Sequence, residues 1–576
     1  TNVDVVFGDC AGIDFTDGSS LRATNSVFRP CQQDGVWRGL RFADISIGSF
    51  PSAIVNECTF KNAQYAIDVY DQFSPSAEID LRVTNNLFSN CKAGMNLRNI
   101  TYTRSITGNT FLIDNLVPPF ENFECSWGNP QDYIGINSSR VWFNESISQN
   151  DFLSPDYITL NFTGIKSYSD KNISISSNNF NNVYQSIDLI NLRGGSIEMN
   201  IIHVTQDFIG YEHQIAIQNS RQVLIGNNEL INSSQYQIEG FWGDNSAIYC
   251  SGGSLYDIKE NFVEGFETAI QCQKIRKSYI IDNEISNCHL YGVYLIRPKE
   301  VKVSCNTINM EAQNNGNAIG IGYFTDGVSL GNEIKSNCIL ETNTAMHFEK
   351  FSGSTQSLPE IYNNYMYSYS DFGINVIDLN GNIGSSPSVS LGAGRNSFIS
   401  NNGLGLIADI ASTNTLTSFG NSGVNFISNV NVQGNSGTSS ASCGQQINYS
   451  NSNSSYLEVC DDPQQGVVGL IINNNYLHPD YISAIPTAAY QDLLYALYLL
   501  RNNSVEGDAE AFYQDVILYN LISINELNWL RFYNHSLKSE IEIALSTLNE
   551  IVPINEEEEQ LIALHGVHLI GTIDEL

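Results

Sequence analysis

One triplet, Asn-x-apolar, recurs along this chain and constrains its fold more than any other feature. It stands at Asn86-Leu87-Phe88, Asn109-Thr110-Phe111, Asn150-Asp151-Phe152 and Asn178-Asn179-Phe180. It returns at Asn200, Asn228, Asn261, Asn283, Asn306, Asn332, Asn364 and Asn396. From Asn178 onward the interval runs from 22 residues (Asn178 to Asn200) to 33 (Asn228 to Asn261). A heptad or helical-hairpin repeat keeps a tighter period, whereas coils joined by unequal loops do not.

A second pattern follows in phase: small-or-polar, apolar, x, apolar. It includes Ala66-Ile67-Asp68-Val69, Ser186-Ile187-Asp188-Leu189, Ala247-Ile248-Tyr249-Cys250, Ala269-Ile270-Gln271-Cys272 and Ala345-Met346-His347-Phe348. Such alternation marks a short strand with two inward apolar side chains and one outward residue between them. Strands this short bury themselves only by stacking on their copies in the next repeat. The expected fold is therefore mainly β, a right-handed parallel β-helix solenoid. Asn suits the coil corners because it tolerates the left-handed backbone region, and stacked Asn side chains can hydrogen-bond along the axis.

The repeats predict a β-helix over residues 1–434. Residues 435–465 are rich in Ser, Asn and Gly and read as a linker or hairpin. Residues 466–576 switch to helical spacing, as in Tyr490, Leu493, Leu494, Leu497 and Leu500. A second helix capped by Asp508 and a third through Ile541, Leu545 and Leu548 complete a small α-helical C-terminal region. Its helices are apolar on more than one side, which predicts self-association or packing on neighbouring modules through this tail.

Lys+Arg number 27 against 61 Asp+Glu, a net charge of −34, yet only 15% of residues are charged. A polyanion is a poor partner for nucleic acid. No apolar run is long enough for a membrane span. The chain opens at Thr1 with neither Met nor leader, which reads as a mature or excised part of something longer.

Of the 12 Cys, none forms a CxxC pair. Cys443 and Cys460 flank one loop and are the expected disulfide. Cys250 and Cys272 hold equivalent inward positions, where a stack of thiols is expected rather than a bond. His565 and His568 read as helix packing, and no metal site is specified. The acidity is compatible with calcium, and no other cofactor is expected.

A hydrolytic or lytic β-helix needs carboxylates close together on the outer face of adjacent coils. The outward row reads Asp68, Asn96, Thr159, Asp188, Ala216, Tyr249, Gln271, Tyr294, Gly320, His347 and Asn375. Asp68 and Asp188 lie several coils apart, no Arg or Lys enters the row, and no catalytic residue is assigned. G-x-S-x-G, P-loop and H-E-x-x-H motifs are absent. Tyr249, Tyr294 and His347 are the expected ligand-binding residues, with sugar rings stacked on the tyrosines.

The run Leu21-Arg22-Ala23-Thr24-Asn25-Ser26-Val27-Phe28, then Cys31, Trp37-Arg38-Gly39-Leu40, Cys58-Thr59-Phe60 and Ala66-Ile67, resembles an opening of secreted bacterial right-handed β-helix proteins. These share the pectate-lyase-like superfamily fold, and many are surface proteins exported by the type IX route without lyase residues. The resemblance covers about residues 1–430 and implies an extracellular, cell-surface location. It transfers no catalytic residue, and the sorting domain usual in such proteins is not recognisable. The expected role is a non-catalytic structural or adhesive module of a large surface protein, assembling as a rod or filament and contacting a cell-surface glycan. The alternative is a polysaccharide-binding or polysaccharide-degrading β-helix that works through loop residues.

Overall fold

The computed structural model describes residues 1–433 apart from segments 16–18, 34, 44–51, 71–77, 103, 115–131, 155–160, 206–212, 234–244, 311–317, 326–330, 352–357, 363, 380, 384–395, 401–407, 413–415, 420–425 and 428–429. It also describes residues 528, 532, 541–551 and 562.

Three long sheets share the N-terminal unit. Sheets A, B and C hold fifteen, sixteen and fifteen strands, and the chain visits them in turn. One turn runs through Phe262–Glu264 in sheet A, Thr268–Gln273 in sheet B and Tyr279–Ile281 in sheet C. It then re-enters sheet A at Glu284–Ser286. Every strand pairs in parallel with its counterpart one turn away, as in Val263↔Ile285 and Ile270↔Val293. This is a parallel β-helix, and crossovers between parallel strands take the right-handed sense.

The core is built from stacked equivalents. Along sheet A, Phe28, Phe60, Phe88, Phe111, Phe152 and Phe180 pile ring on ring, with centroids 4.6 to 5.1 Å apart. The small residue that opens each sheet B pattern faces this pile. A Cβ on Gly135 would lie 2.6 Å from the Phe152 ring, so only glycine fits there. Cys250 and Cys272 stack in register as free, fully buried thiols, the stack expected from sequence.

The turn from sheet C to sheet A is two residues long on every coil. Its second residue is Ser26 and then Cys58 on the first two coils and the repeat Asn from Asn86 onward. From Asn86 to Asn364, each repeat Asn donates its Nδ2 to the Oδ1 of the next Asn, and its backbone N–H bonds the same oxygen. A second bond from Nδ2 reaches a carbonyl one coil back, as from Asn228 to Ile197 at 2.8 Å. The ladder satisfies buried corner donors that the sheets leave unpaired.

Two expectations about this ladder change. The left-handed residue is the one before the ladder Asn, as at Asn85 (φ 56°), Gln149 (φ 56°) and Glu260 (φ 54°). The ladder also passes through Asn337 and not Asn332. Asn332 instead accepts from the Val301 N–H and donates to the Tyr323 hydroxyl.

The chain divides into two compact units, Thr1–Gln464 and Gln465–Leu576. In the second, helix α1 (Ile541–Leu548) packs Ala544 and Leu548 with Phe532 and Ile551. The other two expected helices, the 435–465 linker, Cys443, Cys460, His565 and His568 lie outside the described residues. Among the described residues no helix is long and apolar enough to cross a membrane.

Candidate functional site

The connections show which face the fold leaves variable. All C-to-A turns are two residues long. Long connections enter sheet B at residues 113–131, 154–160, 205–214, 233–245 and 310–318. Others leave it at 44–51, 71–77 and 351–359. The outer face of sheet B therefore lies between the segments that tolerate insertion, where recognition residues concentrate on solenoid scaffolds.

Pairing register assigns the central outward column of that face. It runs Asp14, Arg41, Asp68, Asn96, Asn137, Lys166, Asp188 and Ala216. It continues through Tyr249, Gln271, Tyr294, Gly322, His347 and Asn375. Three sequence expectations are corrected. Lys166 holds the place given to Thr159, which lies outside the described residues. Gly322 replaces Gly320, which sits two residues earlier against Ile339. Arg41 and Lys166 also put cations in a row expected to have none.

The first half of the face is a charged network. Arg98 pairs with Asp68 at 3.3 Å, and Asn96 donates to the same carboxylate at 2.6 Å. The Tyr70 ring lies between the guanidinium groups of Arg41 and Arg98, each 4.8 Å from its centroid. Lys166 and Asp188 pair at 3.4 Å. Burial pushes the Asp188 carboxyl up, and Lys166 opposes that shift.

The second half is aromatic. Tyr249 stacks on His213 at 4.0 Å and donates its hydroxyl to Gln273 at 3.1 Å. Burial lowers His213 to about 4, so it is neutral at pH 7. Tyr291 and Tyr294 stack at 4.3 Å, with the Phe324 ring edge-on to both. Phe324 leads on to Phe351, which is 52% exposed. Gln271 lies between Tyr249 and Tyr294, and its buried Oε1 has no hydrogen-bond partner.

The structure brings Tyr249, Tyr294 and His347 into one column at every second coil, about 10 Å apart at the rung spacing of a parallel sheet. His347 accepts from Asn375 Nδ2 at Nδ1 and faces Glu349 from Nε2, both at 3.1 Å. These contacts occupy both ring nitrogens. Asp68 and Asp188 stand four rungs apart, about 19 Å, beyond the reach of a carboxylate pair. Among the described residues no three His, Cys, Asp or Glu side chains converge as metal ligands. The surface offers flat rings, amide donors and acceptors, and charged pairs.

Sequence reasoning passed over Phe324, Tyr291, Arg41 and Lys166. The signal for Lys166 was the Gly164-Ile165 pair, but the next inward residue is Ser167, which breaks the apolar alternation. Ser167 and Ser138 both donate to the buried carboxylate of Asp170 inside the coil.

No known family profile matches this chain, and no curated protein matches it. Solved structures similar to it include two parallel-sheet enzymes. One is a hyperthermoactive exopolygalacturonase from Thermotoga maritima, with TM-score 0.20 and 10% identity over 73% of this chain and 84% of that one. The other is the mannuronan C-5 epimerase A-module of Azotobacter vinelandii, with TM-score 0.20 and 9% identity over 74% and 88%. The strand pairing itself makes the N-terminal unit a parallel β-helix.

Proposed function

We propose that this chain is a non-catalytic adhesive rod of the cell exterior that holds an extended glycan along the outer face of sheet B. The aromatic lane through Tyr249, Tyr294 and Phe324 carries this reading. The Tyr249 and Tyr294 rings are half-buried and in line, with Phe324 buried edge-on beside Tyr294 and an amide between the two tyrosines, and they suit the apolar faces and hydroxyls of successive sugars. The unsatisfied Gln271 acceptor supports it, because a buried polar atom without a partner calls for an explanation. The disulfides at Cys10, Cys305 and Cys338 support an oxidising exterior. In this reading the C-terminal unit joins the rod to sister chains or neighbouring modules.

The test is retention of the full chain on a panel of immobilised neutral glycans. Tyr249→Ala combined with Tyr294→Ala should abolish retention while the melting transition of the rod is kept. Retention unchanged in the double variant overturns the proposal. Release of reducing or unsaturated sugar ends by the wild-type chain would replace binding with cleavage.

A further inference from the structure

Cations are scarce in this chain, yet they collect on one edge of the rod. From Ser139 to Ile296 sheet B passes into sheet C through a tight turn whose first residue is left-handed. That turn residue donates its backbone N–H to the next coil, as from Arg140 to Tyr168 at 2.9 Å and from Lys274 to Ile296 at 2.7 Å. This column runs Arg140, Ser169, Asn191, Asn219, Gly252, Lys274 and Arg297, and its three cations are exposed. A parallel column two residues on carries Lys171, Arg193, Arg221, Arg276 and Lys299, interrupted by Ser254. Neither column contains an acid between Arg140 and Lys299.

Like charges on adjacent rungs of one column repel. Lys171 shows the cost: burial, and then Arg193 beside it, push its ammonium down to about 8. It sits over the Trp142 ring at 4.0 Å. The row spans six rungs, about 29 Å. Glu300 beside Lys299 is paired with Lys277 at 2.9 Å, and acids farther off are screened beyond about 10 Å at 0.1 M salt, so a ligand at this edge meets mainly its cations.

We propose that the edge between sheets B and C binds a linear acidic glycan, laid along the rod axis with its sulfate or carboxylate groups on the Lys and Arg row. The shape selects the partner. The edge is two side chains wide and straight, whereas a stable protein interface buries about 800 Å² per partner around an apolar centre. Among the described residues the exposed large apolar side chains of these rungs are Tyr168 next to this edge and Met199 and Ile201 at the C-to-A corner. Duplex DNA carries a charge every 1.7 Å or so, denser than one cation per rung, and the net charge of −34 repels it. Guanidinium forks match sulfate and carboxylate oxygens in pairs.

The test uses the full chain with heparin, hyaluronan and a neutral β-glucan as probes. Heparin should bind with an affinity that falls as salt rises, hyaluronan should bind more weakly, and any retention of the neutral glucan should depend on neither salt nor the edge residues. Arg276→Gln with Lys299→Gln should weaken heparin binding at least about tenfold and flatten its salt dependence. Lys274→Gln with Arg297→Gln is a second pair on the other column and should act in the same direction. Lys302→Gln with Lys335→Gln, away from the edge, should leave binding unchanged. Absence of heparin binding at low salt overturns the proposal, as does equal binding by both edge variants. A salt-sensitive dimer that the edge variants abolish would assign the row to the acidic surface of a second copy and overturn it as well.

Discussion

Replacing Asn228 by Ala removes one rung of the corner ladder and should cost a large part of local stability. Four hydrogen bonds depend on this side chain. Its Oδ1 accepts from the Asn200 backbone N–H at 3.1 Å and from Asn200 Nδ2 at 3.0 Å. Its Nδ2 donates to the Ile197 carbonyl at 2.8 Å and to Asn261 Oδ1 at 2.9 Å. The Asn200 Nδ2 keeps its bond to Ile175, and Asn261 Oδ1 keeps the Asn228 backbone N–H. The Asn200 backbone N–H has no such reserve and is left buried and unpaired. One orphaned buried donor costs about 1–3 kcal/mol, and the weakened Ile197 acceptor adds about 1 kcal/mol. The expected loss is therefore about 2–4 kcal/mol. Asn228→Ser should cost less, because Ser26 already serves this position with a hydroxyl that accepts from the Val3 N–H. A solenoid need not unfold in one step, so urea denaturation should be read together with native-state hydrogen exchange. The Asn200 amide should exchange faster in Asn228→Ala, while amides several coils away change little. A loss below about 0.5 kcal/mol, with the Asn200 amide still protected, would refute the ladder as a stabilising element.

Three further outcomes are expected. Gly135→Ala drives a Cβ into the Phe152 ring and should destabilise the rod by about 1–3 kcal/mol, measured as a lower urea midpoint. Thiol titration of the native chain should modify exposed Cys31 and spare Cys58, Cys91, Cys250, Cys272 and Cys288 until denaturant is added. Burial raises the Asp170 carboxyl to about 7, against 3.8 for a free carboxyl. The folded state then binds more protons than the unfolded chain between these values, so this residue's contribution falls as pH rises from about 4 to 7, by at most about 4 kcal/mol. His213, lowered from 6.5 to about 4, has the opposite sign over that range. The measurement is therefore the difference between wild type and Asp170→Asn, which should lose the Asp170 slope and keep the His213 slope.

The β-helix was legible because its two rules are local. A two-residue corner with a buried Asn and a strand with two inward apolar positions each leave a short signature. Register was less legible for a physical reason. Side chains alternate with a period of two, so Ala318-Ile319-Gly320-Ile321 and Gly320-Ile321-Gly322-Tyr323 both satisfy the strand pattern. Only the pairing of Ile321 with Val293 and Met346 selects the second. The same ambiguity affects Asn332 and Asn337, both of which precede an x-apolar pair. At the site, Tyr249, Tyr294 and His347 were found because their flanking inward residues are apolar. Lys166 was missed because Ser138 and Ser167 face inward and are satisfied by Asp170, a partner that no repeat pattern announces. Phe324 was missed because it lies near the end of the strand, one position beyond the pattern.

The three corners of the coil divide the work of the fold. The corner between C and A is closed by a left-handed residue and a buried Asn, and an inserted residue there would break hydrogen bonds on two neighbouring coils. It is two residues long throughout. The corner between A and B carries no such ladder and takes the longest insertions. The corner between B and C is tight from Arg98 to Ile296, and from Arg140 onward most of its rungs carry an outward cation. A regular corner keeps side chains at a fixed rung spacing, whereas an insertion would scatter them. The basic row therefore lies within the stretch of tight turns, as it should if the edge serves as a ruler for regularly spaced anions. The aromatic lane has a different requirement. It needs only that alternate rungs present rings on one face, and sheet B supplies that spacing whatever length its flanking connections take.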